Sequence, residues 1–197
     1  MQIRKAIAIV LLASIVVIAL IGLQNRYVFA ANVFEDDYET GDYSAWTGIL
    51  NKTGSEMLIS TTEVYNGSYA AECSLGAEWG AYAFAYYNMS AETVLYHREY
   101  VQVSFLPLDG ITCDLFGIMD ADRVNHLATI AIDNTGGTGV RWKLSYYNNG
   151  IEESQYSTDV EIKADTWYYI ELMVKSGNGT GGVGSFQLAP GHLRQQD

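Results

Sequence analysis

A chain of 197 residues with 49% apolar and 17% charged side chains is long and apolar enough to bury the core of one domain, and its composition is not that of a solvating tail. Its 23 acidic against 11 basic residues give a net charge of −12, which excludes general nucleic-acid binding and docking onto anionic lipid, because both need clustered Lys and Arg. With 19 Gly, 15 Tyr and only 2 Pro, the composition points to tight turns joining aromatic-rich strands.

The first thirty residues read as an address. Arg4 and Lys5 precede an uncharged run from Ala6 to Leu23, and Val28-Phe29-Ala30 offers small residues at the cleavage positions. The pattern predicts a secretory signal peptide over residues 1–30, cut after Ala30 or Ala31. The run lies at the lower edge of what spans a bilayer, so an uncleaved N-terminal membrane anchor is the alternative, and any membrane contact is confined to this segment. Either way the remainder is extracellular or at the cell surface. Losing Arg4, Lys5 and Arg26 leaves 8 basic residues against 23 acidic ones.

Four sequons, beginning at Asn51, Asn66, Asn88 and Asn178, agree with export and predict a glycoprotein. Cys73 and Cys113 are the only cysteines. In an oxidising compartment they form one disulfide; the alternative is two buried thiols in neighbouring strands.

After residue 31 no helical stripe appears, whereas period-two alternation recurs between Gly, Asn and Asp clusters. Strands are predicted at about 56–61, 69–75, 80–87, 94–106, 114–119, 126–133, 139–147 and 166–175. Along the fourth, Val101, Val103 and Phe105 alternate with Tyr96, Arg98, Tyr100, Gln102 and Ser104. Likewise Val140, Trp142, Leu144 and Tyr146 alternate with Arg141, Lys143, Ser145 and Tyr147, and Ile170, Leu172 and Val174 with Tyr169, Glu171, Met173 and Lys175. The runs Asn134 to Gly139 and Asn148-Asn149-Gly150 supply positive-φ residues for hairpin turns. Antiparallel strands with one buried face at this spacing make an all-β, two-sheet sandwich, here a single domain over residues 31–184.

Three stretches resemble a known family. The run from Val33 to Trp46, which contains Phe34-Glu35-Asp36 and Thr40-Gly41-Asp42-Tyr43-Ser44-Ala45-Trp46, resembles the opening of secreted concanavalin A-like, laminin-G-like jelly-roll modules. Tyr65-Asn66-Gly67-Ser68-Tyr69-Ala70-Ala71 and Thr166-Trp167-Tyr168-Tyr169-Ile170-Glu171-Leu172 resemble later signposts of the same modules, and the match covers about residues 33 to 180. The resemblance implies a jelly roll, a concave face that often holds glycan and, in some members, a structural Ca²⁺. The pattern departs from the family after Gly184, where residues 185–197 read as an irregular tail. That reading predicts a sheet lacking its last strand, with an open edge.

If alternate residues of adjacent strands share one face, Arg98, Arg141, Lys143 and Lys175 converge, with Tyr96, Tyr100, Tyr147 and Tyr169 among them. Aromatic rings stack on sugar C–H faces and Arg forks pair with carboxylates or sulfates, so such a face would suit acidic polysaccharide. The carbohydrate-binding candidates are Arg98, Tyr100, Gln102, Arg141 and Lys143, against the alternative of an ordinary solvated sheet face.

Glu35, Asp37 and Glu39, within an acidic cluster that also holds Asp36 and Asp42, are the candidate Ca²⁺ ligands on the family likeness, against the alternative of a solvated loop. Trp79, Tyr82, Phe84 and Tyr86 suit a sugar platform, although core packing is the favoured reading of those rings. His97 falls on the side of Val101 and reads as structural rather than as a base.

No paired-carboxylate glycosidase pattern, lyase strand motif, P-loop, zinc-ligand pattern or nucleophile elbow is present. The expectation is a secreted or surface-anchored, lectin-like module without catalysis. The alternatives are a polysaccharide lyase or glycoside hydrolase on the same fold, in which Tyr96, Arg98, Tyr100 and Gln102 would act, and a surface structural or adhesion protein.

Overall fold

Each stretch with period-two alternation is a strand in the computed structural model, which describes residues 32–122, 126–148, 151–157, 160–176 and 183–189. The expected signal or anchor segment, the sequon at Asn178 and the end of the tail lie outside the described residues. The chain divides into two units, Met1–Glu35 and Asp36–Asp197. In the first, the Asn32 amide donates to Glu35 Oε2 at 2.6 Å.

The second unit is all-β, with no helix among the described residues. Its strands are β1 (Gly48–Asn51), β2 (Glu56–Ser60), β3 (Ala70–Ser74), β4 (Ala83–Tyr86), β5 (Val94–Val101), β6 (Thr112–Met119), β7 (His126–Asp133), β8 (Arg141–Asn148), β9 (Ile151–Ser157), β10 (Tyr168–Ser176) and β11 (Val183–Ala189). They form four antiparallel sheets, ordered β6-β7-β8-β9, β11-β10-β5, β1-β4 and β2-β3.

The two larger sheets share one core in the manner of a β-sandwich. From one sheet come Phe116, Ala128, Ile130, Ile132, Trp142 and Leu144; from the other come Tyr168, Ile170 and Leu172, with Ile162 from the preceding loop. The Trp142 and Tyr168 rings meet edge to face at 5.3 Å between centroids, and the His97 ring lies 4.6 Å from that of Phe116. Pairing of Ile130 with Leu144 and of Ile132 with Trp142 keeps these side chains on one face of their sheet, and a one-residue slip would turn all of them outward. Gly117 permits the tight β6–β7 pairing, since a Cβ there would stand 2.3 Å from the Ala128 carbonyl oxygen.

Three strands escape the sequence pattern. β1 has four residues, too few to show a period. Exposure of β9 along nearly its whole length removes the apolar alternation. β11 corrects the expectation of a missing last strand and a tail from residue 185: it pairs with β10 from Glu171↔Ala189 to Ser176↔Val183, so that edge of β10 is closed. Phe186 and Leu188 alternate there with Ser185, Gln187 and Ala189, a pattern of two apolar positions that is easily read as a loop. The fourth predicted strand, in turn, ends at Val101 rather than residue 106; beyond it the Val103 carbonyl accepts from the Asp165 amide at 2.9 Å.

Candidate functional site

Antiparallel pairing of β5 with β10 decides which side chains meet on the face turned away from the core. Tyr168, Ile170 and Leu172 point inward and pair with Val101, Glu99 and His97. The outward positions then bring Tyr169 opposite Tyr100, Glu171 opposite Arg98 and Met173 opposite Tyr96. His97 lies on the inward side as expected, with its Nε2 2.7 Å from Glu99 Oε1.

Four rings join on this outward face. Tyr65, from the loop between β2 and β3, stacks on Tyr100 at 4.0 Å between centroids with an interplanar angle of 15°. Trp167 meets Tyr65 edge-on at 5.7 Å, and Tyr169 approaches Tyr100 at 5.1 Å. Tyr100 keeps 48% of its surface accessible, whereas Tyr65, Trp167 and Tyr169 are half-buried. Beside them Arg98 donates through Nε to Glu171 Oε2, with its guanidinium 5.8 Å from the centroid of Tyr96. The Arg98 side chain is 58% exposed and that of Glu171 18%, so the carboxylate forms the floor and the guanidinium the rim. Burial, with an added push from Glu171, raises the Tyr169 hydroxyl above its ordinary pKa despite the pull of Arg98.

Only part of the expected carbohydrate-binding set gathers here. Arg98 and Tyr100 are central, and Gln102 follows the last residue of β5 as a half-buried side chain. The expected convergence with Arg141 and Lys143 does not occur. Those two lie on the outward face of the other large sheet, register partners of Asp133 and Ala131, and the shared core separates the two outward faces. Arg141 is already engaged: its Nε and Nη2 donate to Asp133 Oδ2 at 3.1 and 3.0 Å, and its guanidinium carbon lies 3.7 Å from the centroid of the Tyr156 ring. Sequence reasoning left Tyr65, Trp167 and Glu171 out of the site. Trp167 and Glu171 have the parity of Tyr169 and were open to that reading, whereas nothing in the chain's periodicity announces Tyr65.

The acidic run near residue 36 organises its own loop. Asp36 accepts from the Tyr38 amide at 2.9 Å and from the Trp46 indole at 2.6 Å, and Asp42 accepts from the Ser44 amide at 2.9 Å. Of the expected Ca²⁺ ligands, Glu35 is bonded to Asn32, Asp37 accepts from the Glu39 amide at 3.1 Å, and Glu39 Oε1 accepts from the amides of Ser68 and Tyr69 at 2.8 and 3.1 Å. Among the described residues, no three His, Cys, Asp or Glu side chains gather as a cation site.

Around β4 the small residue turns inward and the rings outward. Ala83 is buried, Tyr82 and Phe84 approach at 5.9 Å, and Trp79 is 84% exposed. Core packing is thus corrected for Trp79 and Tyr82, while Phe84 and Tyr86 are half-buried. Cys73 and Cys113 are both free thiols, on strands of different sheets.

Comparison of the chain with protein-family models, with curated proteins and with solved structures gives no match in any of the three.

Proposed function

We propose that this chain is an exported jelly-roll module that binds carbohydrate without cleaving it, through the outward face of β5 and β10. The observation that supports the reading is the row Trp167, Tyr65, Tyr100 and Tyr169, in which Tyr100 is 48% exposed and the others half-buried, flanked by the Arg98–Glu171 pair. Ring faces stack on the C–H faces of pyranoses, and neighbouring charged hydrogen-bonding groups orient the sugar hydroxyls. Hydrolysis by two carboxylates has little support on this face, because the outward residues of β5 and β10 contain one, Glu171, and Arg98 already occupies it.

Affinity electrophoresis of the protein through a panel of soluble polysaccharides tests the reading. At least one polymer retards the wild-type chain, and Tyr100→Ala weakens that binding by roughly tenfold, the equivalent of one lost aromatic contact. Binding that survives Tyr100→Ala unchanged would move the site elsewhere, and failure of every polymer to bind would favour a surface structural role. Release of reducing or unsaturated ends would favour an enzyme.

A further inference from the structure

We infer that the β5–β10 face selects neutral, hydroxyl-rich glycan over acidic polysaccharide. The inference rests on the binding function proposed above and adds the charge class of the ligand. The juxtaposition that carries it is Arg98 against Glu171, register partners on adjacent strands.

An unpaired guanidinium presents a fork to a uronate or sulfate, and that is how arginine recognises acidic sugars. Here the Nε edge of the fork is taken by Glu171 Oε2, and the pair has no net charge. A uronate approaching Arg98 must either displace Glu171 or lie beside it as a second carboxylate, and like charges at that spacing repel. Other cations are poorly placed to compensate. Arg141 is committed to Asp133 and Tyr156, and Lys143 lies on the outward face of the other large sheet. Lys175, paired with Val94 at the far end of β10 from Tyr169, is the single further cation that β5 and β10 turn to this face. The net charge of −12 adds a general repulsion of polyanions.

The same pair suits a neutral sugar. The exposed N–H groups of Arg98 donate while Glu171 accepts, which presents a donor and an acceptor side by side to adjacent hydroxyls. Ring stacking on C–H faces asks for no ligand charge.

The test measures binding of the full chain to hydroxyethylcellulose and galactomannan as neutral polymers, and to alginate and polygalacturonate as acidic ones, at low and high salt. The variants are Glu171→Gln and Arg98→Gln, with circular dichroism to verify folding. The wild type binds a neutral polymer with little salt dependence and binds both polyuronates roughly tenfold or more weakly. Glu171→Gln frees the guanidinium, weakens neutral binding and brings salt-sensitive polyuronate binding. Arg98→Gln weakens neutral binding with no gain toward polyuronate, and carries the test if Glu171→Gln does not fold.

Polyuronate binding by the wild type equal to or tighter than neutral binding would overturn the charge class and leave the binding function standing. So would a Glu171→Gln protein with an unchanged preference. If no polymer of either class binds, the binding function itself fails and the inference fails with it.

Discussion

Asp133 on β7 and Arg141 on β8 are register partners, and Arg141 brings two nitrogens, Nε and Nη2, onto the single oxygen Oδ2. The other oxygen, Oδ1, accepts from the Thr112 hydroxyl at 2.7 Å and the Thr135 hydroxyl at 2.8 Å. One carboxylate thereby ties β6, β7 and the β7–β8 turn together, and with Asp133 only 1% exposed it does so out of reach of bulk water. The Arg141 guanidinium closes the site by lying over Tyr156 of β9. All four strands of the larger sheet are thus joined through two charged side chains that sequence reading had assigned to sugar binding or left unassigned.

The electrostatics of Asp133 predict an acid-sensitive sheet. Burial opposes its ionisation, but hydrogen bonds from Thr112, Thr135 and Arg141 outweigh burial and hold the carboxyl below its ordinary value of 3.8. A folded-state pKa below the unfolded one means that the unfolded chain takes up the proton first as pH falls. The stabilisation is therefore complete above the ordinary carboxylate range and is lost as pH drops through the depressed value. Thermal melts from pH 7 to pH 2 are expected to show a fall below pH ~4 that is smaller in Asp133→Ala, whose stability at pH 7 is already lower by about 3 kcal/mol. Equal pH dependence in the two proteins would remove Asp133 as the cause.

Alternation was sufficient to place Arg98, Tyr100, Tyr169 and Glu171 on outward positions, because antiparallel pairing preserves parity from one strand to the next. It could not say which sheet a strand joins. Arg141 and Lys143 share the parity of Arg98 in their own strand, yet the core formed by Ile130, Leu144 and Leu172 stands between the two faces. Tyr65 was illegible for a different reason: it sits in a loop and meets Tyr100 only after the chain has folded back over β5. The strands β1 and β9 carry no signal because one is short and the other is solvated on both sides. Residue type and parity therefore revealed half of the candidate site, and long-range topology supplied the rest.

Glu39 and Gly67 form a second device that depends on backbone conformation. Gly67 has φ of +84°, and a Cβ there would lie 2.2 Å from Glu39 Oε1, the oxygen that accepts from the amides of Ser68 and Tyr69. Gly67→Ala combines a left-handed backbone with displacement of the carboxylate, so a loss of about 1–3 kcal/mol is expected by thermal unfolding. Part of that loss is the same pair of hydrogen bonds removed by Glu39→Ala, so the double variant should fall short of the sum of the single ones. Because Glu39 Oε1 already accepts from two amides, the melting temperature is expected to be the same in Ca²⁺ as in chelator. A clear rise in Ca²⁺ would restore Glu39 to a metal site.

The two cysteines allow a test of the sheet arrangement itself. Cys73 on β3 donates its thiol to the Ala83 carbonyl at 3.2 Å, while Cys113 on β6 has the Asp114 carbonyl at 3.9 Å. Burial raises both thiols above their ordinary value, and the charges of Asp114 and Cys73 raise Cys113 further. Thiolate is the reactive form, so both should react with a disulfide reagent more slowly than a free cysteine at pH 8 and faster as the pH approaches their raised values. Two thiols per chain should titrate after denaturation without reductant, matching the 2 cysteines of the sequence. Dithiothreitol should leave the melting temperature unchanged. A bridge between positions 73 and 113 would instead give no titratable thiol and a reductant-sensitive stability of about 2–4 kcal/mol.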